Sequence, residues 1–186
     1  MRLTRSTFGV VVLISTVSMR AAPAIATPQQ LLNKTVTLSW STQPVVRDPN
    51  GKERQTHNDI TYVIYISSLG RLFEHSSRSG GGGRTQGGDV NLNATQTRMG
   101  EARGLRFEGN SLVAYRGYAG GGGSGAMRAV ATFDSSYSSC TLAVTHGKEA
   151  GAALKRQGYD GVVREILSVT VTGTSCSIQD GNALAN

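Results

Sequence analysis

The sequence is short of the residues that announce a chemistry. Aromatic residues make up 6% of the chain, proline occurs four times, cysteine twice and histidine three times, and there are 12 acids against 19 lysines and arginines. The two cysteines lie far apart, which excludes a Cys-x-x-Cys redox or metal motif. The histidines, His57, His75 and His146, have neither the i, i+4 spacing nor the paired cysteines of a zinc site. No metal or other cofactor is therefore expected. No apolar run reaches the roughly 20 residues that a membrane-spanning helix needs. Basic residues are scattered, with no run of three, and lack the clustered charge of a nucleic-acid footprint.

Catalytic signatures are missing in the same way. The run from Gly120 to Gly125 has no Lys-Ser/Thr ending and precedes a predicted strand instead of a helix, so it is not a phosphate-binding loop. Ala126 stands where a Gly-x-Ser-x-Gly elbow around Ser124 needs its last glycine. Glu74, Glu101, Glu108 and Asp134 are dispersed, and nothing pairs two of them for glycoside cleavage. Asn33-Lys34-Thr35 and Asn93-Ala94-Thr95 match glycosylation sequons, which matter only in a host that glycosylates.

What is present begins at the N-terminus. Arg2 and Arg5 precede an apolar run from Phe8 to Val17, and Ala24-Ile25-Ala26 follows with small residues in the positions that signal peptidase reads. The order predicts a signal peptide over residues 1–26, cut after Ala26, and a single β domain over 27–186. The leader contains three arginines and no acid, so the net charge of +7 becomes 7 − 3 = +4 on the mature chain. Cys140 and Cys176 both remain after cleavage. An even count in an exported chain predicts a disulfide between them.

The mature sequence alternates with period two. In Thr35–Thr42 the apolar Val36, Leu38 and Trp40 face one way and Thr37, Ser39 and Ser41 the other, the pattern of a half-buried strand. Similar segments centre on 60–66, 71–75, 104–108, 111–116, 126–133, 139–145, 166–172 and 174–178. Turn residues separate them, notably Asp48-Pro49-Asn50-Gly51, Ser68-Leu69-Gly70, Gly109-Asn110 and Asp134–Tyr137. Residues 77–103 read as a glycine-rich loop, and Glu149–Gln157 as one short helix. The expected fold is mainly β: an antiparallel meander of about eight strands, forming a small barrel (lipocalin-like in architecture only) or a sandwich. A membrane barrel would need an outward apolar band and aromatic girdles, whereas the outward positions here are often Ser and Thr.

With no catalytic motif, the expectation for function is a non-enzymatic binding module, exported to the periplasm or secreted, that holds a small apolar ligand or an envelope partner. Trp40, Tyr62, Tyr65 and Tyr115 fall on predicted strands and are the candidates to line such a ligand, since these side chains join an apolar ring to a polar atom. Ordinary cross-strand packing explains the same pattern. Two alternatives remain: an envelope structural or interaction protein with a filled core, and a hydrolase whose Ser, His and acid come from distant positions.

Overall fold

The computed structural model describes residues 27–80, 89–91, 96–98, 101–120, 123–147, 155–157 and 161–185. The leader expected at 1–26 lies outside them. Twelve strands are present among the described residues: β1 (Lys34–Arg47), β2 (Glu53–Gln55), β3 (Asn58–Ile66), β4 (Leu72–Gly80), β5 (Asp89–Asn91), β6 (Gln96–Arg98), β7 (Glu101–Glu108), β8 (Ser111–Gly120), β9 (Gly123–Phe133), β10 (Cys140–Gly147), β11 (Lys155–Gln157) and β12 (Val163–Asp180).

They form two antiparallel sheets. The first runs β11-β12-β1-β3-β4-β5, with β2 also paired to β1; the second is a meander, β10-β9-β8-β7-β6. The barrel expected as one outcome does not close, and the sandwich is the arrangement that fits. The reason is that no ladder joins the two sheets among the described residues: β12 pairs with β1 and β11, and β10 is left as an edge of the second sheet. What joins β10 to β12 is the predicted disulfide, Cys140–Cys176, with Cα atoms 5.6 Å apart.

The alternation in β1 sets the inner face. Val36, Leu38 and Trp40 are buried and stand opposite Ile64, Tyr62 and Ile60 of β3. The second sheet answers with Leu105, Phe107, Leu112, Ala114, Met127, Ala129, Ala131 and Phe133, which join the same core. On the other side of the first sheet, Ser175, Ser39, Thr61 and Ser77 lie in one cross-strand row, so that face is hydroxyl-rich. Pro44 sits in β1 between the end of the ladder to β3 at Thr42 and the start of the ladder to β2 at Val45, and its carbonyl accepts from the Thr56 N–H at 3.0 Å.

Turns follow the sequence closely. Gly51, Gly70 and Gly109 adopt the left-handed φ values of +83°, +70° and +61° that close the predicted reversals. The first reversal enters β2 before it reaches β3, an extra short strand within the connection.

Three expectations need correction. Residues 155–157 are strand β11, paired with Val163–Glu165, and not the end of a helix. Backbone pairing with a long strand overrides the helix propensity of so short a segment; residues 149–154 lie outside the described residues. The segment 77–103 is not all loop: β4 extends to Gly80, and 89–91, 96–98 and 101–103 lie in strands. Gly120 and Gly123 likewise pair with each other at the end of the β8–β9 hairpin. Finally, the two C-terminal strands are one. β12 is continuous, with a register shift against β1 around Gly173, whose φ is +61°.

Candidate binding site between the sheets

The inner face of β4 breaks the apolar rule of a sandwich interior. Ile66 pairs with Leu72, so Ile64, Tyr62 and Ile60 stand beside Glu74, Ser76 and Arg78. The inner positions of β4 therefore run from apolar to charged. Glu74 is 4% exposed, and Ser76 is also buried. Buried acids and amides are rare unless hydrogen-bonded, because desolvation costs several kcal/mol, about 1–3 for an unpaired polar group.

One further row along, Thr42 of β1 and Asn58 of β3 are both buried. The Asn58 amide donates to Thr42 Oγ1 at 3.4 Å, and its Oδ1 accepts from Arg78 Nε at 3.0 Å and from a terminal guanidinium nitrogen at 2.6 Å. Gly80 closes this corner. It pairs with Asn58 at φ +97°, and a Cβ there would lie 2.2 Å from the His57 carbonyl oxygen. Only glycine lets β4 approach β3 so closely.

The second sheet ends in a matching polar row. Arg116 of β8, Met127 of β9 and His146 of β10 stand side by side, past the all-apolar row of Leu105, Ala114, Ala129 and Val144. His146 faces the first sheet closely enough to feel Arg78. Its pKa is lowered to about 4, first by burial and then by the guanidinium charge. The imidazole is thus neutral near pH 7. β4 and β10 finish within two residues of this row, and β8 and β9 meet in their hairpin just beyond it.

Among the described residues, two ring nitrogens here are buried and have no hydrogen-bond partner: Trp40 Nε1 and His146 Nε2. Trp40 is 2% exposed, and its ring packs against Tyr62 with centroids 5.1 Å apart. By register it shares a row with Ile60 and Arg78.

Of the four aromatic candidates, the structure brings Trp40 and Tyr62 together and leaves the other two elsewhere. Tyr65 lies on the outer face of the first sheet, stacked with Phe73 at 6.3 Å. Tyr115 shares the outer face of β8 with Val113, opposite the core-facing Leu112 and Ala114. The residues missed from sequence were Asn58, Thr42, Ser76, Arg78, Arg116 and His146. The signal for those on β4 was available: the Ser68-Leu69-Gly70 turn fixes the β3–β4 register, and the phase of β3 then sends Glu74, Ser76 and Arg78 inward.

A second polar group, outside the sheets, tests the hydrolase alternative. His57 Nε2 lies 2.9 Å from Asp59 Oδ1, and Ser41 Oγ donates to the same oxygen at 2.7 Å. The Asp59 carboxyl is held below its usual range, first by Ser41 and then by His57. In a nucleophile relay the imidazole lies between hydroxyl and carboxylate. Here the carboxylate lies between hydroxyl and imidazole, so His57 is not placed to take the Ser41 proton. Among the described residues, no cluster of His, Cys, Asp and Glu is arranged to hold a metal ion.

Fold and site together define an antiparallel, disulfide-joined β sandwich with a polar patch buried at one end of its interior. No protein family, curated protein or solved structure matches this chain.

Proposed function

We propose that the chain is an exported, non-catalytic binding module that takes a small ligand at the polar end between its sheets. The observation that carries this reading is the pair of buried, unpartnered ring nitrogens, Trp40 Nε1 and His146 Nε2, on the inner faces of opposite sheets. A folded protein rarely leaves such groups unsatisfied, since each costs about 1–3 kcal/mol. A ligand atom between the sheets removes that cost. The rest of the interior is a packed apolar cluster, so the ligand's polar group belongs at this end and its apolar part against Trp40, Tyr62 and Ile60.

Export is supported by the tripartite N-terminal sequence and by the disulfide, which forms and persists in oxidising compartments. A cut after Ala26 also leaves the fold whole at its start. The hydroxyl of Thr27 donates to the Gly70 carbonyl at 3.0 Å, in the β3–β4 turn. Among the described residues, no helix is long and apolar enough to cross a membrane.

Native mass spectrometry of protein recovered from the exported fraction of its host tests both parts. The expected species starts at Thr27, lacks the two hydrogens of a disulfide, and carries excess mass that disappears on denaturation. A retained Met1 overturns export with cleavage. A bare mass under native conditions overturns ligand retention and favours the filled-core structural protein instead.

A further inference from the structure

The ligand's chemistry follows from the field at the polar end, given the binding reading above. Trp40 Nε1 is a donor only, so whatever meets it supplies an acceptor. His146, on the facing sheet, is buried near the Arg78 charge. Its protonated form is disfavoured first by burial and then by the Arg78 charge. A guanidinium in the cross-strand row of Trp40 and Ile60 favours an anionic acceptor over a neutral one. Arg116 sits in the same cross-strand row as His146 and adds a second guanidinium to this end. Arg78 itself is held by two hydrogen bonds to the Asn58 oxygen, so its planar head is oriented by the fold. Ile60, Tyr62 and Met127 are apolar or aromatic, while Ser76 stands one inner position and the buried acid Glu74 two inner positions further along β4 from Arg78.

We infer that the ligand is a small carboxylate-bearing molecule with an apolar body, its carboxylate oxygen accepting from the Trp40 indole N–H within reach of Arg78. Planar carboxylate recognition is what a pre-oriented guanidinium does best, and the indole N–H adds a donor on the opposite strand. A cation is repelled by the same field. An alcohol meets the indole but gains nothing from the charge.

Trp40 is the only tryptophan, so its emission reports on this site alone. Octanoate, 1-octanol and octylamine share one apolar body and differ in head group. Titrated separately into the intact, disulfide-bonded protein, octanoate is expected to shift the emission saturably and at least about tenfold more tightly than the other two, the usual worth of a charge-assisted hydrogen bond. Arg78→Gln should remove most of the preference for octanoate over octanol. If Arg78→Gln does not fold, Arg116→Gln serves the same comparison. Equal binding of all three, or tighter binding of the amine, overturns the carboxylate inference and leaves the binding module standing. No shift with any of them overturns the inference. If the native mass spectrum is then also bare, the binding reading falls with it.

Discussion

His146 is a base held in an environment that disfavours its charge, and this makes folding stability depend on pH in a defined window. Its pKa is about 4 in the folded protein against 6.5 when unperturbed, through burial first and Arg78 second. Above 6.5 the residue is neutral in both folded and unfolded chains and contributes no pH dependence. As pH falls from 6.5 toward 4, the unfolded chain takes up the proton first and stability is lost, by up to about 3 kcal/mol. The aspartates Asp59 and Asp134, both lowered by hydrogen bonds from serine, act in a different window, since their contribution is lost only as pH falls below the ordinary 3.8. Urea denaturation at a series of pH values should therefore show a slope between 6.5 and 4 that His146→Gln abolishes and that leaves the steeper loss at lower pH intact. Asn58 is the other residue on which the site depends. Asn58→Ala leaves the Arg78 guanidinium without the oxygen that fixes it and Thr42 without its donor. A loss of about 2–4 kcal/mol is expected, read as a lower urea midpoint at unchanged slope.

Among the elements, β4 carries the most information and was the hardest to read. Leu72-Phe73-Glu74-His75-Ser76-Ser77-Arg78 does not alternate apolar with polar, so period two gives it no inner face of its own. Its orientation comes from β3, whose even-numbered residues are fixed inward by β1, and from the tight turn that sets the register. By contrast β1 was legible directly, because its alternation over Thr35–Thr42 is uninterrupted and it packs in the middle of its sheet. Glu149–Gln157 misled because local propensity was the only signal. The partner that makes 155–157 a strand lies six or more residues further along the chain. The end of β4 offers a direct test of how closely it must approach β3. Gly80→Ala forces a Cβ onto the His57 carbonyl at a left-handed φ. The variant should lose about 2 kcal/mol or more, and should weaken any ligand response of Trp40 because Asn58 and Arg78 move with the corner. A Gly51→Ala control at the β1–β2 turn, where a Cβ meets nothing within 4 Å, carries only the backbone cost and should leave the ligand response unchanged.

In the whole molecule the two sheets are joined through their packed faces and one covalent link. Cys140 and Cys176 are 36 positions apart in sequence, and among the described residues no ladder connects β10 to β12. Closing a loop of that size is worth about 3–4 kcal/mol in unfolded-state entropy. The double variant Cys140→Ser, Cys176→Ser should therefore unfold at lower urea by that order, with the sheets themselves retained in far-ultraviolet dichroism. Disulfide and β class were both readable from the sequence, because each rests on local pattern or on residue count. Whether the strands close as a barrel or stack as a sandwich was not, since that choice turns on whether the edge strands of the two sheets pair with each other, which no local pattern encodes. The buried polar end was hidden for the same reason. It is assembled from β1, β3, β4, β8 and β10, and no segment shows it alone.

The indole N–H of Trp40 is the most direct witness to what that end does. Because the chain has a single tryptophan, a proton–nitrogen correlation spectrum contains one indole cross-peak. Protein taken from the exported fraction should be compared with the same protein after unfolding with its disulfide intact, removal of small molecules and refolding. If the polar end holds a ligand, the cross-peak lies at the hydrogen-bonded position before stripping, moves afterwards, and returns when octanoate is added. A cross-peak that stays in one place through all three states contradicts a ligand at Trp40 and makes the buried polar row a feature of the fold alone.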